Sequence, residues 1–173
     1  LLKETKMKAA DIEGIGFGFP GQIDCKKGVV RLAPNIPGWV NVPIASIMEK
    51  EFGIPTRVDN DVRTAALGEL NYGAGVGCEN LVCITVGTGI GSGLVINGKL
   101  VRGADNAAGE IGHIKLNVQG GPLCGCGDRG CLEAYASGPS IVAMAEEYIR
   151  GGKSTKYREL ANPDITPYIV AGG

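Results

Sequence analysis

The only histidine of the chain and three of its six cysteines lie close together in the sequence. His113 is followed by Cys124, Cys126 and Cys131, in the spacing H-x10-C-x-C-x4-C. Three thiolates and one imidazole complete a tetrahedral zinc shell, and a shell of four protein ligands is typical of a structural site. The alternative is that all four residues are ordinary core residues. Because the cysteines are so closely spaced, we predict a structural Zn²⁺ site.

A glycine-rich run, GTGIGSG at residues 87–93, lies between two predicted strands. Successive backbone N–H groups in such a turn form a concave anion site, and glycine lets a phosphate group approach closely. A strand rather than a helix is predicted to follow, so the run is not a dinucleotide-binding fingerprint. It also lacks the Gly-Lys-Ser/Thr of a Walker loop. Taken alone, the run is explained almost as well by a tight hairpin.

Asn60 and Asp61 lie between a predicted strand and a predicted helix. Asn and Asp are favoured at helix N-caps, where they stabilise a helix by about 1 kcal/mol, and the residues alone favour this interpretation. The functional alternative makes Asp61 a general base and Asn60 a hydroxyl-binding partner. The two interpretations are compatible, because one residue can cap the helix while its neighbour binds substrate.

Two glutamates flank the metal-binding sequence. Glu110 lies three residues before His113, and Glu133 lies two residues after Cys131. Each could be a solvated charge. A metal-bound loop would instead hold both carboxylates in fixed positions, which is what a polyhydroxylated ligand requires.

The elements that would position these residues mix strands and helices, which predicts the α/β class. Helical spacing predicts helices over residues 44–52, 61–72 and 139–150, each followed by glycine. Strands are predicted over residues 12–19, 28–33, 55–59, 81–86, 92–96 and 99–102, with Asn97-Gly98 as a hairpin turn. The glycines at 73–77 suggest a hinge, so we predict one lobe over residues 1–72 and a second over 73–173.

The composition argues against several classes of protein. The formal net charge is −1 without a block of like charges, so we expect no nucleic-acid or membrane-surface partner. No apolar run approaches the ~20 residues of a membrane span. Residues 1–10 do not have the pattern of a signal peptide, so we expect a cytoplasmic protein. In that reducing compartment, metal binding explains a cysteine cluster better than disulfides do.

Together these motifs resemble the ROK family of sugar kinases and sugar-responsive repressors, over nearly all of residues 12–150. The resemblance depends on Asn60-Asp61, the glycine run, E-x-G-H at 110–113, C-x-C-G-x-x-G-C-x-E at 124–133 and GFPG at 18–21. The segment PNIPGW at 34–39 is similar to that of the glucokinases in the family. The resemblance implies an actin-like, ribonuclease H-like ATPase fold with two lobes and the sugar between them. It also implies ATP-dependent phosphorylation of a hexose, with glucose converted to glucose 6-phosphate.

The resemblance also implies a role for each matching residue. Asp61 would be the base for the attacking hydroxyl on C6 of the sugar. The sugar-binding residues would be Gly21, Asn35, Asn60, Asp61, Glu110, His113 and Glu133. Gly87, Thr88, Gly89 and Gly91 would contact the phosphates of ATP, which carries Mg²⁺, and His113, Cys124, Cys126 and Cys131 would hold zinc. The expected partners are the hexose and ATP, in a homodimer or homotetramer.

Two motifs of the family kinases are missing from the sequence, an N-terminal D-x-G-x-T and a C-terminal glycine-rich adenosine motif. We therefore expect the chain to be an incomplete portion of a protein and inactive by itself. Three alternatives remain open: a sugar-sensing regulator of the same family, a purely structural zinc module, and a kinase for another sugar. The other sugars are fructose, mannose, N-acetylmannosamine and N-acetylglucosamine.

The phosphate loop is expected to belong to a hairpin separate from the metal loop. Loss of the metal should then weaken sugar binding far more than nucleotide binding.

Overall fold

The computed structural model describes residues 2–33 and 36–152, and these form an α/β structure. Its helices are α1 (Leu2–Thr5), α2 (Ile44–Phe52), α3 (Asp61–Tyr72), α4 (Glu133–Ala136) and α5 (Gly138–Arg150). Its strands are β1 (Ile15–Phe19), β2 (Gln22–Asp24), β3 (Val29–Leu32), β4 (Val40–Val42), β5 (Thr56–Asn60), β6 (Leu81–Val86), β7 (Ile90–Ile96) and β8 (Lys99–Val101). Asn35 lies outside the described residues.

The predicted helices agree closely with the structure. α2 and α3 have the predicted bounds, and the helix predicted from Pro139 begins one residue earlier, at Gly138. At the end of α2, Gly53 adopts a left-handed conformation with φ of 67° and donates its N–H to the carbonyl of Glu49. This is a glycine C-cap, which explains why the glycine was a reliable stop signal.

Strands β1 and β5 form a parallel pair that brings two loops to the same edge of the sheet. Gly18 is aligned with Asp59, and Phe19 with Asn60. Parallel strands have their carboxyl ends at the same edge, so the turn after β1 lies beside the start of α3. This pairing brings Gly21, which follows β1, close to Asn60, the last residue of β5, and to Asp61, which follows it.

An antiparallel sheet of β2, β3 and β4 packs its apolar residues into a small core. Ile23, Val30 and Val58 are almost fully buried there. Phe19 and Trp39 lie against this core and stack on each other, with ring centroids 4.6 Å apart. The end of β1 therefore packs against this core through Phe19.

A third sheet has the strand order β6-β7-β8. The predicted hairpin turn between β7 and β8 is confirmed, because Asn97 and Gly98 have φ values of 51° and 68°. β7 begins at Ile90, two residues before the predicted strand, so Gly91 lies in a strand and the turn is confined to residues 87–89. The glycine loop is therefore shorter than the sequence predicted.

The chain forms two compact units. Among the described residues, the first contains residues 2–33, 36–83 and 92–109, and the second contains residues 84–91 and 110–152. β6 and β7 each contribute residues to both units, so the chain passes between the units repeatedly. The division at residues 72 and 73 concerns the lobes of a longer protein and stays a prediction. Within residues 2–33 and 36–152, the helices lack the length and apolar character needed to cross a membrane.

Candidate functional site

Asn60 is the N-cap of α3, as the favoured interpretation of the sequence predicted. Its Oδ1 accepts hydrogen bonds from the backbone N–H groups of Val62 and Arg63, at 3.1 and 3.2 Å. Its Nδ2 donates to the carbonyl oxygen of Gly21, at 3.3 Å. The amide therefore joins the start of α3 to the turn that follows β1.

Gly21 is required at this turn because two independent constraints act on it. Its φ is +101°, in a region that residues with a side chain rarely adopt. A Cβ atom at this position would overlap the carbonyl oxygen of Leu32. The backbone of the GFPG segment thus lies directly against β3 while its carbonyl faces Asn60.

Asp61 is the first residue of α3 and is exposed. Its Oδ1 accepts a hydrogen bond from the N–H of Val62, at 2.9 Å. The Cα atom of Asp61 lies close to Gly18, where an added Cβ would be only 3.2 Å away. The structure therefore presents an accessible carboxylate beside the turn after β1, held at a helix start that Asn60 caps.

A buried ion-pair network lies directly behind this helix start, and the sequence analysis assigned it no role. Oδ2 of Asp59 lies 2.8 Å from both Nε and Nη2 of Arg102. Oδ1 of Asp59 lies 3.0 Å from Nε of Arg63 and accepts the N–H of Asn60 at 2.8 Å. The available signal was the i,i+4 spacing of opposite charges in Asp59 and Arg63.

The predicted metal ligands come together in the second unit. The ligand atoms of His113, Cys124, Cys126 and Cys131 all lie within 4.8 Å of one another. Nδ1 of His113 is 3.6 Å from Sγ of Cys124, and the Sγ atoms of Cys126 and Cys131 are 3.9 Å apart. In a tetrahedral site with metal–sulfur bonds of ~2.3 Å, neighbouring ligands stand about 3.8 Å apart. The four residues therefore fit a zinc ion.

The thiols of Cys124 and Cys126 differ in pKa. Burial raises the pKa of the Cys124 thiol to about 11, so a metal must displace a proton to bind there. A hydrogen bond from the backbone N–H of Asp128 lowers the pKa of Cys126. The ammonium group of Lys115 lies 3.4 Å from Sγ of Cys131 and adds positive charge beside the three cysteines.

The metal loop closes on itself through tight backbone contacts. Cys124 donates its N–H to the carbonyl of Asp128, at 2.7 Å, and Gly127 donates to the carbonyl of Cys124, at 2.9 Å. Gly130 has a φ of 75°, and an added Cβ there would overlap the carbonyl oxygen of Asn117. Glycine at this position therefore lets two backbone segments approach each other beside the ligands.

Glu133 connects the metal loop to the glycine loop. Its Oε2 accepts the N–H of Ile90 at 2.9 Å, and its Oε1 lies 3.6 Å from Sγ of Cys124. A Cβ at Gly89 would overlap Oε2 of Glu133. The N–H of Gly138 also donates to the carbonyl of Gly87, at 2.8 Å. The glycine turn belongs to the separate β6–β7 hairpin, as expected, but this hairpin contacts Glu133 and is therefore not independent of the metal loop.

The remaining predicted residues of this unit lie around the same connection. Glu110 is exposed and precedes a short 3-10 turn, Ile111–His113, whose Gly112 is buried against the carbonyl of Ile90. Thr88 is exposed in the turn of the glycine loop. The second unit thus contains three sugar-binding candidates, the phosphate-binding candidates and the potential metal ligands, and the Glu133 carboxylate connects the glycine turn to Cys124.

Comparison with known proteins gives consistent matches. The sequence model of the ROK family matches residues 1–166. A glucokinase of Halalkalibacterium halodurans is 44% identical over 147 residues, which cover 85% of this chain and 44% of that protein. A xylose repressor of Caldicellulosiruptor bescii is 39% identical over 167 residues, which cover 96% of this chain and 41% of that protein.

Solved structures agree with these sequence matches. A ROK family glucokinase from Streptomyces griseus, crystallised with glucose and AMPPNP, matches with a TM-score of 0.72 and 44% identity. That match covers 82% of this chain and 45% of the glucokinase. It confirms the predicted α/β class and actin-like ATPase fold. The chain spans less than half the length of each of these three proteins.

Proposed function

The chain belongs to the ROK family, and from that membership we propose that the whole protein transfers a phosphoryl group from ATP to the C6 hydroxyl of a hexose, with glucose as the preferred acceptor. The observation that carries the proposal is the accessible Asp61 carboxylate at a capped helix start beside the turn after β1. A carboxylate in that position can orient a hydroxyl group and accept its proton.

Positioning and charge stabilisation supply most of the catalysis in phosphoryl transfer, because the transition state is loose. Asp61 would receive the hydroxyl proton late in the reaction. Oδ1 of Asn60 is committed to the cap, and one N–H of its Nδ2 to Gly21. The second N–H of the amide is the donor that Asn60 would offer to a sugar hydroxyl.

The residues of the second unit would bind other hydroxyl groups of the sugar. Nδ1 of His113 faces Cys124, so zinc would bind at Nδ1 and leave Nε2 to donate to the sugar. Oε2 of Glu133 is committed to Ile90, so Oε1 would be the better-placed acceptor. Glu110 would add an exposed carboxylate. Zinc with four protein ligands would supply a structural cross-link only.

The turn at residues 87–89 would bind the phosphates of ATP through backbone N–H groups. Its contact with Glu133 supports a fixed conformation of this turn. Mg²⁺ bound to ATP would supply charge neutralisation. The resemblance assigns Gly91 to this group as well, and its place in β7 next to the turn is compatible with a supporting role.

A sugar-responsive regulator is the second candidate, because the xylose repressor matches more of this chain than the Halalkalibacterium halodurans glucokinase does. Such a protein would bind sugar without transferring phosphate. The complete Asn60-Asp61 pair and the E-x-G-H sequence favour the kinase. Phosphotransfer and sugar-dependent DNA binding by the full-length protein distinguish the two candidates.

The test is a kinetic comparison of the full-length protein with its Asp61→Asn variant. Turnover of glucose and ATP should fall by roughly 10²–10⁴, the usual contribution of a positioned base. Sugar affinity, measured by calorimetry, should change little. Glu51→Gln, which neutralises an exposed carboxylate on α2, is the matched control and should keep normal turnover.

Two results would overturn the proposal. Near-normal turnover of Asp61→Asn would show that Asp61 acts only at the helix start. Failure of the unmodified protein to phosphorylate glucose, fructose, mannose, N-acetylmannosamine or N-acetylglucosamine would exclude the kinase. Phosphorylation of one of the others in preference to glucose would change the substrate and keep the reaction.

A further inference from the structure

The carboxylate of Asp59 is a buried charge with two arginine partners, and the proposed reaction does not use it directly. The Asp59 and Arg63 side chains are only 11% and 4% exposed. Arg102 reaches the same carboxylate from outside, with a side chain that is 37% exposed. A buried carboxylate is strongly destabilising when it is unpaired, so these contacts hold all three residues in defined positions.

The network joins two segments that are distant in the sequence. Nη1 of Arg63 donates to the carbonyl of Asn106, at 2.7 Å. Asn106 itself has a left-handed backbone with φ of 57°, and its Oδ1 lies 3.5 Å from Sγ of Cys25. Arg102 lies at the beginning of the same segment, and Ala108 donates its N–H to the carbonyl of Arg102, at 3.0 Å. Residues 102–108 are therefore closed on themselves and tied to the helix start at Arg102 and at Asn106.

The same network fixes the backbone that carries the proposed base. Asp59 accepts the N–H of Asn60 at 2.8 Å, and Arg63 donates its own N–H to the cap oxygen of Asn60 at 3.2 Å. Asp61 lies between these contacts. Any displacement of Asp59 or Arg63 would thus move the peptide groups on both sides of Asp61.

We propose that Asp59, Arg63 and Arg102 form a positioning network that sets the location of the Asp61 carboxylate by locking the start of α3 to residues 102–108. The expected change in turnover rests on the proposed kinase function, whereas the structural role of the network does not. A misplacement of about 1 Å caused by a change away from the reacting atoms can lower a rate by roughly a hundredfold. Arg102 and Arg63 contact Asp59 and the backbone around Asp61, and in this proposal they act through that backbone.

The test uses Arg102→Met in the full-length protein, because this residue is the most exposed member and its removal is the least disruptive. Turnover should fall roughly tenfold to a hundredfold, with a smaller change in the KM for sugar. Arg102→Lys keeps the charge but not the paired Nε and Nη2 contacts, so it should restore part of the loss. Arg57→Met is the matched control, because Arg57 is exposed on β5, the strand that carries Asp59, and donates to the carbonyl of Thr56.

A double-mutant cycle shows whether the network acts through Asp61. When Asp61→Asn is already present, adding Arg102→Met should lower turnover by a further factor of less than about two. A merely structural role would reduce the melting temperature and leave the turnover of folded molecules unchanged. Equal losses from Arg102→Met with and without Asp61 would likewise overturn the inference.

Hydrogen exchange provides a readout that does not depend on activity. The amides of residues 60–63 should exchange faster in Arg102→Met than in Arg57→Met. If the unmodified protein phosphorylates no sugar, the kinase proposal fails, and unchanged exchange would then also overturn the network. If the unmodified protein is active and Arg102→Met matches Arg57→Met in turnover, only the network is refuted.

Discussion

The two units position their candidate site residues by different physical means. Around Asp61, the chain uses long charged side chains and a helix cap, with Asp59 bridging two arginines and Asn60 bridging two backbone segments. Around Glu133, it uses glycines and a cluster of potential metal ligands. The arrangement around Asp61 needs no added ion, because Asp59 is paired with Arg63 and Arg102 of the protein itself. The arrangement around Glu133 leaves three thiols and an imidazole close together, in positions that a metal ion could link.

This difference separates the response of the two regions to metal. Burial raises the pKa of Cys124 to about 11, so without metal the thiol is protonated and contributes only a weak hydrogen bond. The ion pairs of Asp59 contain no such group. We therefore expect loss of metal to loosen the surroundings of Glu133 and to leave the start of α3 unchanged.

Removal of zinc from the full-length protein should produce the largest difference between the region around Glu133 and the region around Asp61. We expect the affinities for sugar and for nucleotide both to fall at least tenfold, because zinc would fix the loop that leads into Glu133, and Glu133 in turn accepts the N–H of Ile90 beside the glycine turn. Calorimetric titration with and without zinc measures both affinities. Hydrogen exchange should increase in residues 110–133 and stay constant in residues 60–63.

The matched variants for that experiment are Cys126→Ser and Cys78→Ser. Cys126 belongs to the cluster, whereas Cys78 is an exposed cysteine of the first unit. Only Cys126→Ser should reproduce the effect of zinc removal. Nucleotide affinity that survives both treatments would show that the contact between Glu133 and Ile90 does not transmit the state of the metal loop.

Gly89→Ala should have a smaller and more local effect. The added Cβ would overlap Oε2 of Glu133 and displace the carboxylate from the N–H of Ile90. We expect the KM for ATP to rise roughly tenfold, since the turn loses the contact that fixes it, at a cost of about 1–3 kcal/mol for an unsatisfied buried group. Steady-state kinetics at saturating sugar measures this change.

Gly125→Ala is the control for Gly89→Ala. Gly125 lies in the metal loop with open space around it, so a methyl group there should leave the KM for ATP unchanged. An equal rise in both variants would mean that the glycine loop responds to any change in the unit, and the specific role of Glu133 would be wrong.

Asn60→Ala should have the smallest effect, on the stability of the first unit. Loss of the cap should lower the free energy of unfolding by about 1 kcal/mol, measured by denaturant unfolding of the full-length protein. Asn60→Asp keeps an acceptor for Val62 and Arg63 and should retain most of that stability. If Asn60→Asp is as unstable as Asn60→Ala, the contact with Gly21 contributes more than the cap does.

Local signals in the sequence predicted the elements that depend on neighbouring residues. α3 has the predicted bounds because Asn60 caps it and Gly73 ends it. The clustering of the four potential metal ligands could be predicted because three of them lie within one short loop. In contrast, β2 and β4 are only three residues long, too short for alternation to be detected. Glycine signals were also overinterpreted as loop where Gly91 continues a strand.

The contacts that organise the candidate site were not predictable, because they join residues far apart in the chain. Ile90 and Glu133 are separated by 43 residues, and so are Asp59 and Arg102. Nothing in the spacing of charges indicates which distant carboxylate a given N–H or guanidinium will meet. The sequence could therefore name candidate residues in both units and could not say which of them support the others.

The shared contacts of Glu133 also restrict how a protein of this design can acquire a new substrate. A change at Glu133 that suited a different sugar would disturb Ile90, beside the glycine turn, and Cys124, among the potential metal ligands, at once. A substitution of Glu133 that favoured a new sugar would therefore also lose the contacts with Ile90 and Cys124. Glu110 is exposed at the surface of the same unit, and within residues 2–33 and 36–152 its side chain makes no comparable pair of contacts. Directed evolution toward another hexose should therefore accumulate substitutions around Glu110 long before it alters Glu133.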